Sequence, residues 1–94
     1  MTDVLTTEEV KAKLAALDGW ELAGKAITKE FSFKGFGEAM AFMNRMANLA
    51  ERQHHHPDID IRYDTVRLTL STHSAGGLTG KDFRLAEAVE ESHA

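Results

Sequence analysis

Three histidines stand in a row at His54, His55 and His56, with a fourth at His73 and a fifth at His93. Imidazole has an ordinary pKa of about 6.5, so its acid and base forms are both accessible near neutrality. A histidine cluster is therefore first a candidate proton-transfer site. The triple falls where a long apolar-periodic segment ends and Pro57 starts a turn. Such junctions often carry site residues, because a rigid element positions them. Histidine at a helix C-terminus also has a structural use, since the cation faces the negative end of the dipole for about 0.3–1 kcal/mol. That explains one terminal histidine better than a run of three followed by His73 on the last strand. His93, next to the C-terminus, is read as a solvated residue.

Metal chemistry is the next class to weigh. Two or three histidines with Asp58 or Asp60 have the residue types of a zinc site. Adjacent side chains on a helix diverge by about 100°, however, and the His-Glu-x-x-His spacing is absent. No metal is expected. Cysteine is missing, which removes thiolate nucleophiles, disulfides and Cys-ligated zinc.

The rest of the chain narrows the class further. Its 94 residues suffice for a single domain over 1–94 with one core. A core this small makes oligomerisation a plausible source of extra stability. Hydrophobic residues at 43 % and charged residues at 28 % describe an ordinary globular protein. Eleven Lys and Arg against fifteen Asp and Glu leave a net charge of −4. An acidic domain gains nothing from counterion release on nucleic acid and has no polybasic stretch for a membrane surface. The longest apolar run, Ala39 to Met43, is far short of the roughly 20 residues of a membrane span. The N-terminus has early acids and no basic region, so it does not read as a secretory signal. A cytoplasmic protein is expected.

Seven elements must position the histidines. Thr6 with Glu9 fits a capping box, and Leu5 with Val10 fits the hydrophobic staple around it. Val10, Leu14 and Leu17 continue that helix to Asp18-Gly19. Trp20 and Leu22 begin a strand, Ala23-Gly24-Lys25 turns, and Ile27, Phe31 and Phe33 alternate with polar residues. A helix is predicted from Phe36 to Gln53, with Phe36, Ala39, Met40, Met43, Met46, Ala47 and Ala50 as its core stripe. Phe42 and Leu49 fall off that stripe, so the helix is either packed all round or meets a partner subunit. Ile59, Ile61 and Tyr63 form a third strand, and Val66, Leu68 and Leu70 a fourth that ends at His73. By period 2, His73 shares the open face with Arg67, Thr69 and Ser71. A loop over 74–80 leads to a last helix from Thr79 toward Glu91, with Phe83, Ala86 and Val89 inward. The order α-β-β-α-β-β-α predicts an α+β fold, a four-stranded antiparallel sheet with helices packed on one face.

One set of spacings is specific. Glu51, three residues, His55-His56-Pro57, five residues, Tyr63, nine residues, His73, eight residues and Asp82 resembles the signature of the pterin-4a-carbinolamine dehydratase family. The likeness extends to Gly19-Trp20, Phe42-Met43 and the segment from Leu68 to His73, and so covers nearly the whole chain. It implies dehydration of 4a-hydroxytetrahydrobiopterin to quinonoid dihydropterin and water, which recycles the cofactor of aromatic amino-acid hydroxylases. Hydroxide leaves C4a poorly unless an acid protonates it, and the N5–H needs a base. Imidazoles suit both tasks, at typically about 10²–10⁴-fold each. No redox change occurs, so no cofactor is implied.

The resemblance places His55, His56 and His73 around the pterin. His55 and His73 are assigned as the acid/base pair, and His56 either only binds and orients the substrate or also shares in proton transfer. Glu51 lies at i, i+4 from His55, where it is placed to fix an imidazole's tautomer. Asp82 is either part of the site or a helix cap, because Thr79-x-x-Asp82 has capping-box form. Trp20 either stacks at the edge of the pterin site or is a core aromatic. Ser71 and Thr72 offer backbone groups to the pterin's amide edge. Many family members carry an acid where this chain has His54, so His54 is given no role.

The family resemblance also implies a homodimer or homotetramer, with sheets joined across subunits and long helices packed between dimers. An aromatic amino-acid hydroxylase is an implied partner. A second class of reading is a non-catalytic binding or regulatory protein. Mammalian relatives serve as dimerisation cofactors of a homeodomain transcription factor, and other relatives act as assembly factors. The full histidine set favours retained catalysis.

Overall fold

The computed structural model describes residues 4–93. The elements are α1 (Thr7–Leu14), β1 (Glu21–Ala23), β2 (Ala26–Ser32), α2 (Phe36–Gln53), β3 (Asp58–Arg62), β4 (Thr65–Leu70) and α3 (Gly80–His93), with one turn of 3₁₀-helix at His73–Ala75. The strands form one antiparallel sheet in the order β1-β2-β4-β3. The expected element order and the α+β class both hold.

Local chemistry explains the element ends. The Thr6 hydroxyl accepts from the Glu9 N–H, and the Glu9 carboxylate accepts from the Thr6 N–H, which closes the capping box of α1. Those hydrogen bonds to Thr6 hold the Glu9 carboxyl below its ordinary value. α1 ends at Leu14, earlier than the Leu17 periodicity suggests, and the chain reaches Gly19 through turns. Gly19 is needed there because its φ is +84°, a backbone conformation that other residues rarely adopt.

The β2–β4 register pairs Ile27 with Leu70 and Phe31 with Val66, and β3 sets Ile59 against Leu68. Directly opposed residues point to the same face, so one face carries the aliphatic side chains and the other carries Thr28, Glu30, Arg67 and Thr69. The helices cover the aliphatic face. Val66, Leu68, Leu70 and Ile27 are fully buried against Phe42, Met46, Phe83, Ala86 and Val89. Three expected placements differ. Leu22 is half-exposed on the edge strand β1. Tyr63 leaves the strand pattern, sits in the β3–β4 turn with φ +53° and is 70 % exposed. His73 starts the 3₁₀ turn rather than ending β4.

The main correction concerns α2. Phe42 is fully buried, with its ring centroid 4.8 Å from that of Phe31 and 5.0 Å from that of Phe33. Leu49 packs partly buried against the same core. The inner stripe is Ala39, Phe42, Met46 and Ala50, whereas Phe36 is 50 % exposed and Ala47 is exposed. The helix carries apolar residues over so wide an arc that periodicity fits two stripes, and the sheet selects one. Phe42→Ala should therefore cost about 3–5 kcal/mol in urea unfolding. A chain of 94 residues has roughly 5–14 kcal/mol in total. A loss below about 1 kcal/mol would return Phe42 to the surface.

Candidate active site

The sheet register brings the two histidine segments together. β3 begins with Asp58 opposite Thr69 near the end of β4. Residues 54–57 enter β3 at the same end of the sheet where residues 71–73 leave β4, and both segments line one cleft. The chain enters this arrangement through a sharp reversal. α2 ends at His54 in the left-handed region, φ 52° and ψ 40°, and its backbone N–H returns to Ala50 O and Glu51 O. Histidine is among the non-glycine residues that tolerate this region best.

His55 then turns inward and is 9 % exposed. Its Nε2 lies 2.5 Å from Asp82 Oδ1. Asp82 is fully buried on the first turn of α3. Its other oxygen, Oδ2, accepts from the Thr72 hydroxyl at 2.8 Å and from the Thr79 N–H at 2.9 Å. Since Thr72 donates to Asp82, its oxygen accepts from the Thr79 hydroxyl at 2.8 Å, and the Thr79 oxygen accepts from the Lys81 N–H at 3.2 Å. Each hydroxyl thus donates once and accepts once. Asp82 is both the cap of α3 and the anchor of His55, so the two sequence alternatives are one arrangement.

This anchoring assigns the tautomer of His55. An ionised carboxylate only accepts, so Nε2 carries the hydrogen and Nδ1 is the basic nitrogen of the neutral ring. Among the described residues Nδ1 has no hydrogen-bond partner, and no buried side-chain nitrogen or oxygen lacks one. Nδ1 is therefore the nitrogen through which the ring meets solvent.

The space it meets is an open cleft of about 310 Å³, lined by His54, His55, His56, Ser71, Thr72, His73, Ser74 and Lys81. That volume is at the small end of the range for small-molecule sites. An adjoining depression shares Ser71 and His73 and adds Lys25, Asp58 and Thr69 along the open sheet face. A separate apolar cleft between Val4, Leu5, Val10, Leu22 and Leu78 has only Lys25 as an ionisable lining group, too little for paired acid/base work. Among the described residues, no group of three or more His, Cys, Asp or Glu is arranged to hold a metal.

The structure brings His55, His56, His73, Ser71, Thr72 and Asp82 into one place. Glu51 is nearby but approaches His56 at 3.5 Å rather than His55, and both side chains are largely exposed. Such a pair contributes little. Trp20 does not line the cleft. It is buried in the core, edge-on to Phe31, and its Nε1–H donates to Glu90 Oε2 at 3.1 Å. Glu90 lies eight residues beyond Asp82 on α3, about 12 Å along the axis at 1.5 Å per residue. His54, Ser74 and Lys81 also line the cleft, although no site role is expected for them from the sequence. Lys81 had a legible signal, since it precedes Asp82 at the start of the same helix.

A family profile described as pterin 4 alpha carbinolamine dehydratase matches residues 3–92. The chain belongs to that family. It is similar to a provisionally named pterin-4-alpha-carbinolamine dehydratase of Roseiflexus castenholzii, 50 % identical over 97 % of this chain and 98 % of the relative. A protein of Nocardia farcinica with the same provisional name is 47 % identical over 96 % of this chain and 95 % of its own. Among solved structures, the transcriptional coactivator/pterin dehydratase of Brucella melitensis superposes with a TM-score of 0.91 at 40 % identity, over 95 % of this chain and 97 % of that one. A pterin dehydratase-like protein described as a RuBisCO assembly factor of the alpha-carboxysome gives 0.66 at 26 %, over 78 % and 87 %.

In this family member the role of Asp82 can be tested without substrate. Asp82→Asn turns an N–H₂ toward one of three donors, and an unmatched buried donor costs about 1–3 kcal/mol. Denaturant unfolding should show that loss, and ¹⁵N spectra should show His55 no longer held with its hydrogen on Nε2. A His55 that keeps the Nε2–H form would reject Asp82 as its anchor.

Proposed function

We propose that the cleft dehydrates a pterin 4a-carbinolamine by histidine acid/base catalysis. The observation that carries this reading is His55, fixed through Nε2 to a buried carboxylate and lining a space shared with His56 and His73. Membership of the family supplies the substrate class.

The step needs two proton movements. An imidazolium donates to the C4a hydroxyl, the C–O bond breaks and water leaves. The N5–H proton goes to a neutral imidazole as the ring gains its N5–C4a double bond, giving quinonoid dihydropterin. Atoms and charge balance, and nothing is oxidised. His55 and His73 are assigned to these transfers, with His56 orienting the ring. When Nδ1 takes a proton, the Asp82 carboxylate faces the imidazolium that results, as a triad aspartate does. The Ser71 hydroxyl donates to Lys25 O, and Thr72 is engaged throughout: its hydroxyl donates to Asp82, its N–H to Gly77 O, and its carbonyl accepts from Ala75 and Gly76, so Thr72 does not offer the free backbone groups expected of it.

A binding role on the same fold is a second reading. It is favoured by the outer stripe of α2, where Phe36 is half-exposed and Met40 and Met43 follow half-buried at helical spacing. A second copy of this chain packed on that stripe gives the homodimer or homotetramer, and a hydroxylase is a further partner in the recycling reading. Catalysis and binding use different surfaces and can coexist.

His73→Ala should lower dehydration of a synthetic carbinolamine by at least about 10²-fold while unfolding stays cooperative at an unchanged midpoint. An unaltered rate removes His73 from the mechanism. Changing Phe36 and Met43 together to Lys should lower the sedimenting mass, and an unchanged mass would reject the stripe as a contact between copies.

A further inference from the structure

The candidate cleft is one-sided in charge. Its wall holds four imidazoles, three hydroxyl side chains and the Lys81 ammonium, and no carboxylate. Asp82 stands behind His55, fully buried and filled by its own donors. Lys81 is half-buried, and its ammonium has no hydrogen-bond or ion-pair partner among the described residues. Lys29 shows the usual arrangement for a half-buried lysine here, since its ammonium meets Asp18 O and both Glu90 oxygens at 2.9 Å. A cation at the cleft wall with no acceptor of its own is free to make a charge-assisted hydrogen bond to a bound anion.

The dehydration itself does not use that cation. Reactant and product are both uncharged at the ring, and imidazoles supply the proton transfers. We propose that the cleft selects a pterin whose side chain ends in an anion, a phosphomonoester or a carboxylate, with Lys81 as the selecting group and a ring N–H of His54 as a second donor. His54 stands where the reversed chain brings it to the same wall. The proposal rests on the dehydratase reading for the pterin ring and adds the chemical class of its substituent.

The test compares three carbinolamines that differ only in the side chain: a neutral polyol, the same polyol as its terminal phosphate ester, and a chain ending in a glutamyl carboxylate. The native protein should prefer at least one anionic substrate by about tenfold in kcat/KM, mostly through KM, as expected for one charge-assisted hydrogen bond. The two anionic arms distinguish phosphate from carboxylate. Lys81→Gln should erase the preference, Lys81→Arg should keep it, and added salt should narrow it. Equal kcat/KM for all three overturns the proposal. So does a Lys81→Gln variant that slows all three equally, which would place the ammonium on the leaving hydroxyl instead. The same side chains on stable dihydropterins, titrated by fluorescence, give a reading independent of turnover. Absence of turnover with every carbinolamine defeats the dehydratase reading, whereas equal Kd values defeat the anion selectivity.

Discussion

A single buried carboxylate joins the parts of this molecule that matter for its chemistry. Asp82 has no exposed surface, and an uncompensated ion there would cost several kcal/mol. It is compensated by donors from three places: the α2–β3 junction through His55, the exit of β4 through Thr72, and the start of α3 through Thr79. Removing any one donor leaves a charge imperfectly matched. The carboxylate therefore holds those three chain segments at one point and fixes the ring of His55 in one tautomer. Folding and site formation share the same hydrogen bonds.

The sheet supplies the geometry that this arrangement needs. β3 and β4 pair antiparallel, so the residues just before β3 lie beside those just after β4. Alternation then divides them. Thr72 continues the inward face of Leu70 and is buried, while His73 is exposed on the cleft wall. A one-residue slip in this pair would exchange the two faces and turn the hydroxyl away from Asp82. The fully buried Val66, Leu68 and Leu70 oppose such a slip, because it would move them into solvent. The apolar core and the polar site thus enforce the same register.

The cleft and the outer stripe of α2 lie at separate places on one helix. His54 closes the C-terminal end, whereas Phe36, Met40 and Met43 occupy the first half of its outer face. Substitution on the stripe leaves the Asp82 network untouched. A binding surface can change while the cleft is kept, or the cleft can be lost while the core is kept.

Much of this was legible in the residues. Strand alternation gave Val66, Leu68 and Leu70 their buried face, the capping pattern gave Thr6 and Glu9 their bonds, and the helix over 36–53 had the bounds observed. The spacing from Glu51 to Asp82 carried the family. These signals are local or periodic, so a linear sequence contains them. The inner face of α2 was not legible, because Phe36, Ala39, Met40, Phe42 and Met43 together satisfy more than one stripe. Only the sheet, with Phe31 and Phe33 waiting for one particular ring, buried Phe42. The partner of His55 was decided the same way. Glu51 is its neighbour by helical spacing, yet Asp82, distant in sequence, is the carboxylate that reaches Nε2, because the left-handed turn at His54 rotates the ring off the helix and into the core. Sequence by itself determined which side chains were available for proton transfer. The tertiary structure decided which carboxylate holds which imidazole, because that depends on the packing of segments that only the folded chain brings together.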